Sequence, residues 1–399
     1  MSVEKYVRKE LRGPARQSAT RRSGPPDPEM ITLAAGDPNF LLPDYIANEV
    51  KHAIEIGQTH YCFGGDPELK EAIAKYYSKY GYETPASQVA ITAGGSESIL
   101  KSYATLLNEG DEVVAFDPAY SGGTMVPAYF GAKVVFAPLE KLEDGSYDFD
   151  EEALKKAITP KTKCLYIENP GNPSGKVYGK KELKVIADLS IDNDFIVLSD
   201  ETYTEYIWTG AKHLPIITLP GMEERVIVAM AMTKMFAWAG MRTGWVIAGP
   251  ELSQYVNRAP LGGASWPMMR GCLKGLKDGY QFVLDMRAEY KERIEYSMKR
   301  FNEMPGVKCP HPEGAFYMFP DITGTGMTSA EFTQKLAEEA KVLAVSGASY
   351  GAGHGEGNVR FSMIRPLSTQ KMKSWFPHKK GYMLEDAMDR IEKFVQKHA

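Results

Sequence analysis

Metal and disulfide chemistry have little to work with in this 399-residue chain. Its four cysteines, Cys62, Cys164, Cys272 and Cys309, stand far apart and form no CxxC pair. Neither a disulfide framework nor a zinc site is expected, and a reducing compartment fits such a set. The seven histidines show no HExxH or HxH spacing. No apolar run reaches the length that a membrane span needs. With a net charge of -4 there is no excess of positive charge to draw nucleic acid or an anionic bilayer. The first 22 residues are basic (Lys5, Arg8, Lys9, Arg12, Arg16, Arg21, Arg22) but lack the apolar stretch of a secretory signal. Glu4 and Glu10 argue against a transit peptide, so a surface arm lying on a partner subunit is expected, in a cytoplasmic protein.

What is present is apolar matter in short, regular pieces. A hydrophobic content of 43% over this length supports a large core and two domains. Helical spacing covers 43–56 and 67–80, then Val89–Thr92 reads as a buried strand followed by a helix over 96–107. Further apolar runs fall at 112–116, 133–137, 164–167, 195–199, Val226–Ala231 and 245–248, with helical spans at 151–158 and 180–191 among them. Short continuous runs separated by helices indicate a sheet buried on both faces, hence a mostly parallel α/β architecture. Beyond about residue 270 a long charged helix is expected over 277–303. An α+β segment then begins at Pro305-Gly306-Val307 and ends in a helix over 382–397. The expected division is an arm and joining segment over 1–42, a large domain over 43–275 and a small domain over 276–399. Gly351 to Gly357 contains a GxGxxG-like pattern, but no βαβ unit follows it, so a mobile loop is expected there rather than a dinucleotide site.

Six segments carry chemistry. Val226–Ala231 leads into Met232-Thr233-Lys234, and Arg242 follows eight positions after the lysine. An amine at the end of a buried strand is desolvated, which disfavours its charged form and leaves a nucleophile able to hold an aldehyde cofactor as a Schiff base. The arginine nearby would clamp an anion. A snorkelling lysine is the bland alternative. Thr92-Ala93-Gly94-Gly95-Ser96 runs from strand through glycines into a helix N-terminus, where backbone amides favour an anion, or make a plain tight turn. Asp200, in Ser199-Asp200-Glu201-Thr202-Tyr203, sits at a strand end, where it could face a pyridine nitrogen or cap a helix. A charged hydrogen bond of the first kind contributes about 1.5–3 kcal/mol. Tyr203 could donate to a ring hydroxylate. The loop from Glu168 to Gly175 holds two Asn-Pro pairs and two glycines, and Asn172 can donate to a ring oxygen. Tyr120, after Asp117-Pro118-Ala119, could stack on a flat heterocycle or pack in the core. Arg360, in Asn358-Val359-Arg360-Phe361-Ser362, offers a fork for a carboxylate, with Arg365 as a competitor.

Taken in order, these segments resemble the class I/II aminotransferases, a large group of fold-type I pyridoxal-phosphate enzymes. The likeness runs from about Leu33 to Ser362, and the lysine-to-arginine and D-x-x-Y spacings match. The resemblance implies a large domain with a mostly parallel seven-stranded sheet between helices, plus a smaller α+β domain. It implies pyridoxal 5′-phosphate on Lys234, which also shuttles the substrate proton. Asp200 would pair the ring nitrogen, Asn172 and Tyr203 the ring oxygen, and Tyr120 the ring face. Gly94, Gly95, Ser96, Thr233 and Arg242 would hold the phosphate, and Arg360 with the Gly36 backbone the substrate α-carboxylate. Tyr61 resembles the tyrosine that reaches the phosphate of a neighbouring subunit, so a homodimer with shared sites is implied. The Asn172-Pro173 bond is the candidate for a cis peptide.

Two departures stand out. Ala231 occupies the position, three before the lysine, where the family usually has a phosphate-binding serine, and the Tyr61 loop is a residue shorter than usual. Ping-pong transfer between an L-amino acid and a 2-oxo acid is the implied reaction. Gln17-Ser18-Ala19-Thr20 resembles a patch of prokaryotic-type aspartate aminotransferases, which favours aspartate with 2-oxoglutarate. Ser96 stands where some of those enzymes carry a lysine for the distal carboxylate, so aromatic or other neutral donors remain an alternative. The same machinery serves C–S lyases and cyclopropane-forming synthases. A cofactor-sensing regulator is not expected, since roughly thirty residues before Leu33 are few for a DNA-binding domain.

Overall fold

The computed structural model describes residues 7–8, 27–259, 262–376 and 379–398. The patch at 17–20 and the basic residues Lys5, Lys9, Arg12, Arg16, Arg21 and Arg22 lie outside the described residues. Seven strands form the main sheet: β1 (Val89–Thr92), β2 (Glu112–Asp117), β3 (Lys133–Pro138), β4 (Thr162–Glu168), β5 (Ile196–Asp200), β6 (Val226–Ala231) and β7 (Gly244–Ala248). Their order is β1-β7-β6-β5-β4-β2-β3. β7 is antiparallel to both neighbours and the other pairs are parallel.

The continuous apolar runs follow from this layout. Alternate residues of one strand point to opposite faces, and here each face has its own apolar layer. Val114, Leu165, Val197, Val228 and Ile247 belong to one core cluster. Their strand neighbours Val113, Cys164, Leu198, Ile227 and Val246 belong to the other. A strand with solvent on one face would have alternated polar and apolar residues instead.

Helices α1 (Asp44–Glu55), α2 (Pro67–Ser78) and α3 (Gly95–Leu106) lie within about two residues of their expected spans. Asp66 caps α2, accepting from the amides of Glu68 and Leu69 at 3.0 and 3.4 Å, with Pro67 in the first turn. The long charged helix expected over 277–303 is α5 (Tyr280–Asn302), and a further helix that was not expected, α4 (Trp266–Asp278), directly precedes it. Gly279 separates them. A Cβ there would stand 2.7 Å from both the Gly275 carbonyl oxygen and the Phe236 ring. The missing side chain therefore lets the chain turn against Phe236, while α4 packs on α1 and α2.

The C-terminal third carries a three-stranded antiparallel sheet with Val359–Ser362 between Tyr317–Met318 and Val345–Ser346. Helices α6 (Ser329–Glu339) and α7 (Leu384–His398) accompany it. Ile31–Thr32 pairs in parallel with Val342–Leu343, which ties an early segment of the chain to this region. The Gly351–Gly357 segment is a loop, and its position is defined by a large-sheet residue. Buried Asp117 accepts from the Ala352 amide at 2.9 Å and lies 2.8 Å from His354 Nδ1. Among the described residues no helix is long and apolar enough to cross a membrane, and no cluster of potential metal ligands occurs.

Candidate active site

Nearly every residue singled out from the sequence lies just past a strand of the main sheet, on one edge. Gly94 to Ser96 follow β1, Tyr120 follows β2, Asn172 follows β4, Tyr203 follows β5 and Lys234 follows β6. Arg242 precedes the antiparallel β7, which brings it to the same edge. Open α/β sheets bind ligands where the carboxyl ends of the strands leave a crevice.

Lys234 lies in the short helix Met232–Met235 directly after β6. The Tyr206 hydroxyl donates to its carbonyl at 2.9 Å, and its own Nζ donates to the Gly36 carbonyl. Burial is the main influence on the amine and lowers its pKa to about 8; Asp37 and Asp200 oppose this, while Arg360 and Arg242 add to it. That set of influences already places the amine among two acids and two arginines. Thr233 Oγ1, one residue earlier, is buried without a hydrogen-bond partner. Arg242 has a positive φ of 55° and donates to the carbonyls of Ala239 and Ala93 at 2.8 and 3.1 Å.

The glycine turn after β1 fits around that arginine. Gly94 has φ of 89°, and a Cβ on it would come within 2.7 Å of the Arg242 guanidinium. A Cβ on Gly95 would touch the Ala231 methyl at 3.5 Å. Ser96 is exposed and lies beside the Tyr120 phenol. The result is a cradle of helix N-terminus, guanidinium and an unpartnered hydroxyl, which is the chemistry that holds a phosphate.

Asp200 is buried at the end of β5. Burial raises its pKa, against hydrogen bonds from the Thr202 hydroxyl at 2.6 Å, the Thr202 amide at 3.0 Å and the Tyr166 hydroxyl at 3.4 Å. Opposite it in the sheet register stands Glu168. Burial, with Asp200 beside it, pushes the Glu168 carboxyl up to about 8.

Arg360 is buried and joins the C-terminal sheet to the main one. Its Nη1 donates to Asn172 Oδ1 at 3.0 Å, its Nη2 to the Ala34 carbonyl, and its Nε has no partner. The guanidinium lies 4.4 Å from the Tyr317 ring centre and 5.3 Å from that of Tyr350. Arg365 points elsewhere, 3.6 Å over the Phe376 ring with its Nε donating to the Thr32 carbonyl. Tyr203 shares a 2.5 Å hydrogen bond with the Tyr317 hydroxyl. Gly36 lies against that hydroxyl, which a Cβ there would meet at 2.1 Å. The Asn172-Pro173 peptide is cis, as are Asp117-Pro118 and Asn169-Pro170.

Tyr61 is apart from this group. It is 85% exposed and stacked on the equally exposed Phe63, ring centres 5.3 Å apart. Residues with direct contacts in the site that carried no role in the sequence include Tyr166, Glu168 and Tyr317. Tyr317 stands in the apolar run Ala315-Phe316-Tyr317-Met318, where it reads as core. Glu168 had a usable signal, since an acid ends β4 just as Asp200 ends β5.

The crevice, the desolvated lysine and the arginine-lined ends define an enzyme site of the fold-type I kind. Residues 28–374 match the model of the family "Aminotransferase class I and II". The chain is 36% identical over 375 residues to aromatic-amino-acid aminotransferase 2 of Thermococcus litoralis, covering 92% of each. It is also 36% identical to an aspartate aminotransferase of Pyrococcus abyssi, again over 92% of each. The crystal structure of an aromatic aminotransferase from Pyrococcus horikoshii OT3 superposes with a TM-score of 0.83 at 34% identity, covering 92% of this chain and 96% of that one. The chain therefore belongs to the class I and II aminotransferases, and it is a transaminase. Enzymes of this family use pyridoxal phosphate.

Proposed function

We propose that this aminotransferase binds pyridoxal 5′-phosphate at the strand-end crevice and moves an amino group, by a ping-pong mechanism, from an L-amino acid, aspartate first among them, to a 2-oxo acid such as 2-oxoglutarate. The observation that carries it is the Lys234 amine, which burial moves toward neutrality within reach of Asp200, Arg360 and Arg242. The residues fit the cofactor: Thr233 Oγ1 is a buried hydroxyl without a partner, and the Gly94 turn leaves room for the Arg242 guanidinium. When bound, the cofactor would supply the aldehyde that carries nitrogen and a ring that accepts an electron pair.

The chain's own groups would do the rest. Lys234 holds the cofactor and moves the proton at the substrate Cα, and a lysine lowered toward neutral pH suits both tasks. Asp200 keeps the ring nitrogen protonated, Asn172 and Tyr203 donate to the ring oxygen, and Tyr120 covers one ring face. Gly94, Gly95, Ser96, Thr233 and Arg242 hold the phosphate. Arg360, with the Gly36 backbone, grips the α-carboxylate. The exposed Tyr61 supports a homodimer in which this tyrosine completes the neighbour's phosphate site. The separate seven-stranded and three-stranded sheets support a large domain over 43–275 and a small one over 276–399, which the strand Ile31–Thr32 joins. Four free cysteines support a cytoplasmic location.

Tyr317 and Tyr350 flanking Arg360 favour a second reading, in which aromatic amino acids are the donors. Relatives named for aspartate and for aromatic substrates match this chain equally well. A single-turnover screen of amino acids against the loaded enzyme, following loss of the near-visible cofactor band, separates the two. Aspartate reacting fastest supports the first reading, and tyrosine or phenylalanine doing so overturns it for the second. Pyruvate and ammonia released from a cysteine-type substrate without an oxo acid would instead count for a lyase.

A further inference from the structure

Glu168 and Asp200 end neighbouring parallel strands in register, yet only Asp200 has a part in the proposed function. Glu168 is buried, and both its oxygens are engaged. Oε2 accepts from the backbone amides of Asn172 at 3.0 Å and Tyr120 at 3.3 Å. Oε1 accepts from the Tyr166 hydroxyl at 2.8 Å, and that hydroxyl is also 3.4 Å from Asp200 Oδ2. A phenol has one proton to donate, so the Tyr166 hydroxyl links the two acids: it donates to Glu168 when Glu168 is ionised, and to Asp200 when Glu168 is protonated and donates to the phenol instead. Space for the Tyr166 ring comes from Gly123, where a Cβ would lie 2.1 Å from the ring.

One carboxylate thus ties down three things at once. The Tyr120 loop and the Asn172 loop leave different strands, β2 and β4, and each is pinned to the same oxygen. Asn172 in turn receives Arg360, so the pin extends to the carboxylate fork. We propose that Glu168 is a positioning residue of the transamination reaction, fixing the Tyr120 and Asn172 loops and setting, through the Tyr166 hydroxyl, the hydrogen bonding at Asp200. This rests on the proposed cofactor site. Burying a carboxylate beside Asp200 costs stability, which fits a group retained for placement.

The test compares Glu168→Ala, Glu168→Gln and Tyr166→Phe with the parent protein. Each apoprotein is titrated with pyridoxal 5′-phosphate, kcat and KM are measured separately, and apoprotein melting is recorded. Glu168→Ala is expected to bind cofactor about tenfold or more weakly and to lose kcat by a similar factor, since misplaced reacting groups are costly. Glu168→Gln, which keeps one acceptor, should recover part of both. The melting temperature of the apoprotein should fall in Glu168→Ala, because three donors lose their acceptor, so the test is carried by cofactor affinity, kcat and their partial recovery in Glu168→Gln. Tyr166→Phe should lower kcat and shift the pH midpoint of the bound cofactor's absorbance, with cofactor affinity near the parent's.

A merely structural Glu168 would lower the melting temperature while leaving cofactor affinity and kcat within twofold, and that outcome overturns the inference. So does a Tyr166→Phe variant with the parent's kcat and absorbance midpoint. If the parent protein itself takes up no cofactor, the functional proposal fails first, so the two failures are told apart by the parent titration alone.

Discussion

From Val226 to Ala231, β6 contributes six buried residues and no charge, while three residues beyond its end Lys234 holds a desolvated amine. The same contrast repeats along the sheet. β4 is apolar from Cys164 to Ile167 and β5 from Ile196 to Leu198, and they end in the buried acids Glu168 and Asp200. Strand bodies bury apolar surface and release free energy. The strand-end crevice takes charged groups out of water and stores a cost. The difference teaches that stability and chemistry are carried by different residues of the same strands, so that substitutions in the two regions should have opposite signatures.

The largest expected effect is at the edge. Lys234→Ala should lower turnover by roughly 10³-fold or more and abolish the near-visible absorbance of the loaded protein, with the fold intact by circular dichroism. A retained absorbance would break the assignment of the amine. In the body of the same strand, Val228→Ala should cost about 1.5–3 kcal/mol of unfolding free energy while kcat per folded molecule stays unchanged. Urea denaturation and active-site titration together check both halves. Should Val228→Ala reduce kcat as strongly as stability, the two regions are not separable.

Gly94→Ala sharpens the contrast from within the edge. The position has φ of 89° and no room beside the Arg242 guanidinium. A methyl group there should displace the arginine and weaken cofactor or phosphate binding by about tenfold, with a smaller loss of stability. Isothermal titration of the apoprotein with cofactor measures it. Unchanged affinity would remove Arg242 from the phosphate cradle.

How much of this was legible beforehand divides along the same line. Strand bodies announce themselves, because burial on both faces leaves uninterrupted runs such as Val226–Ala231. The edge residues were legible where spacing linked them, as with Lys234 and Arg242. Tyr317 was not, because a tyrosine within an apolar segment looks the same whether its hydroxyl meets Tyr203 or nothing. Tyr166 was hidden for the same reason, inside β4. The long helix expected over 277–303 is found at Tyr280–Asn302, but its start was set three residues early because the charge pattern continues through Gly279, and the reason to turn there is a contact with Phe236, some 40 residues earlier in the chain. Contacts between distant segments leave no local trace.

The smallest expected effect is also the most direct measure of the stored cost. Folding lowers the Lys234 pKa to about 8 from an ordinary 10.5, chiefly by burial. Below pH 8 both folded and unfolded chains carry the proton, and the folded state bears the full penalty of a buried charge. Between pH 8 and 10.5 the unfolded chain binds more protons than the folded one, so this residue's contribution to stability becomes more favourable as pH rises. Lys234→Met removes the penalty. The apoprotein of that variant should be about 1–2 kcal/mol more stable than the parent at pH 7, and the gap should narrow by pH 9.5. Paired urea midpoints at the two pH values measure it, with the hydrogen bond to the Gly36 carbonyl lost equally at both. A gap that is constant or widens with pH would mean that the amine is not held at a cost, and the contrast between strand body and strand end would lose its electrostatic half.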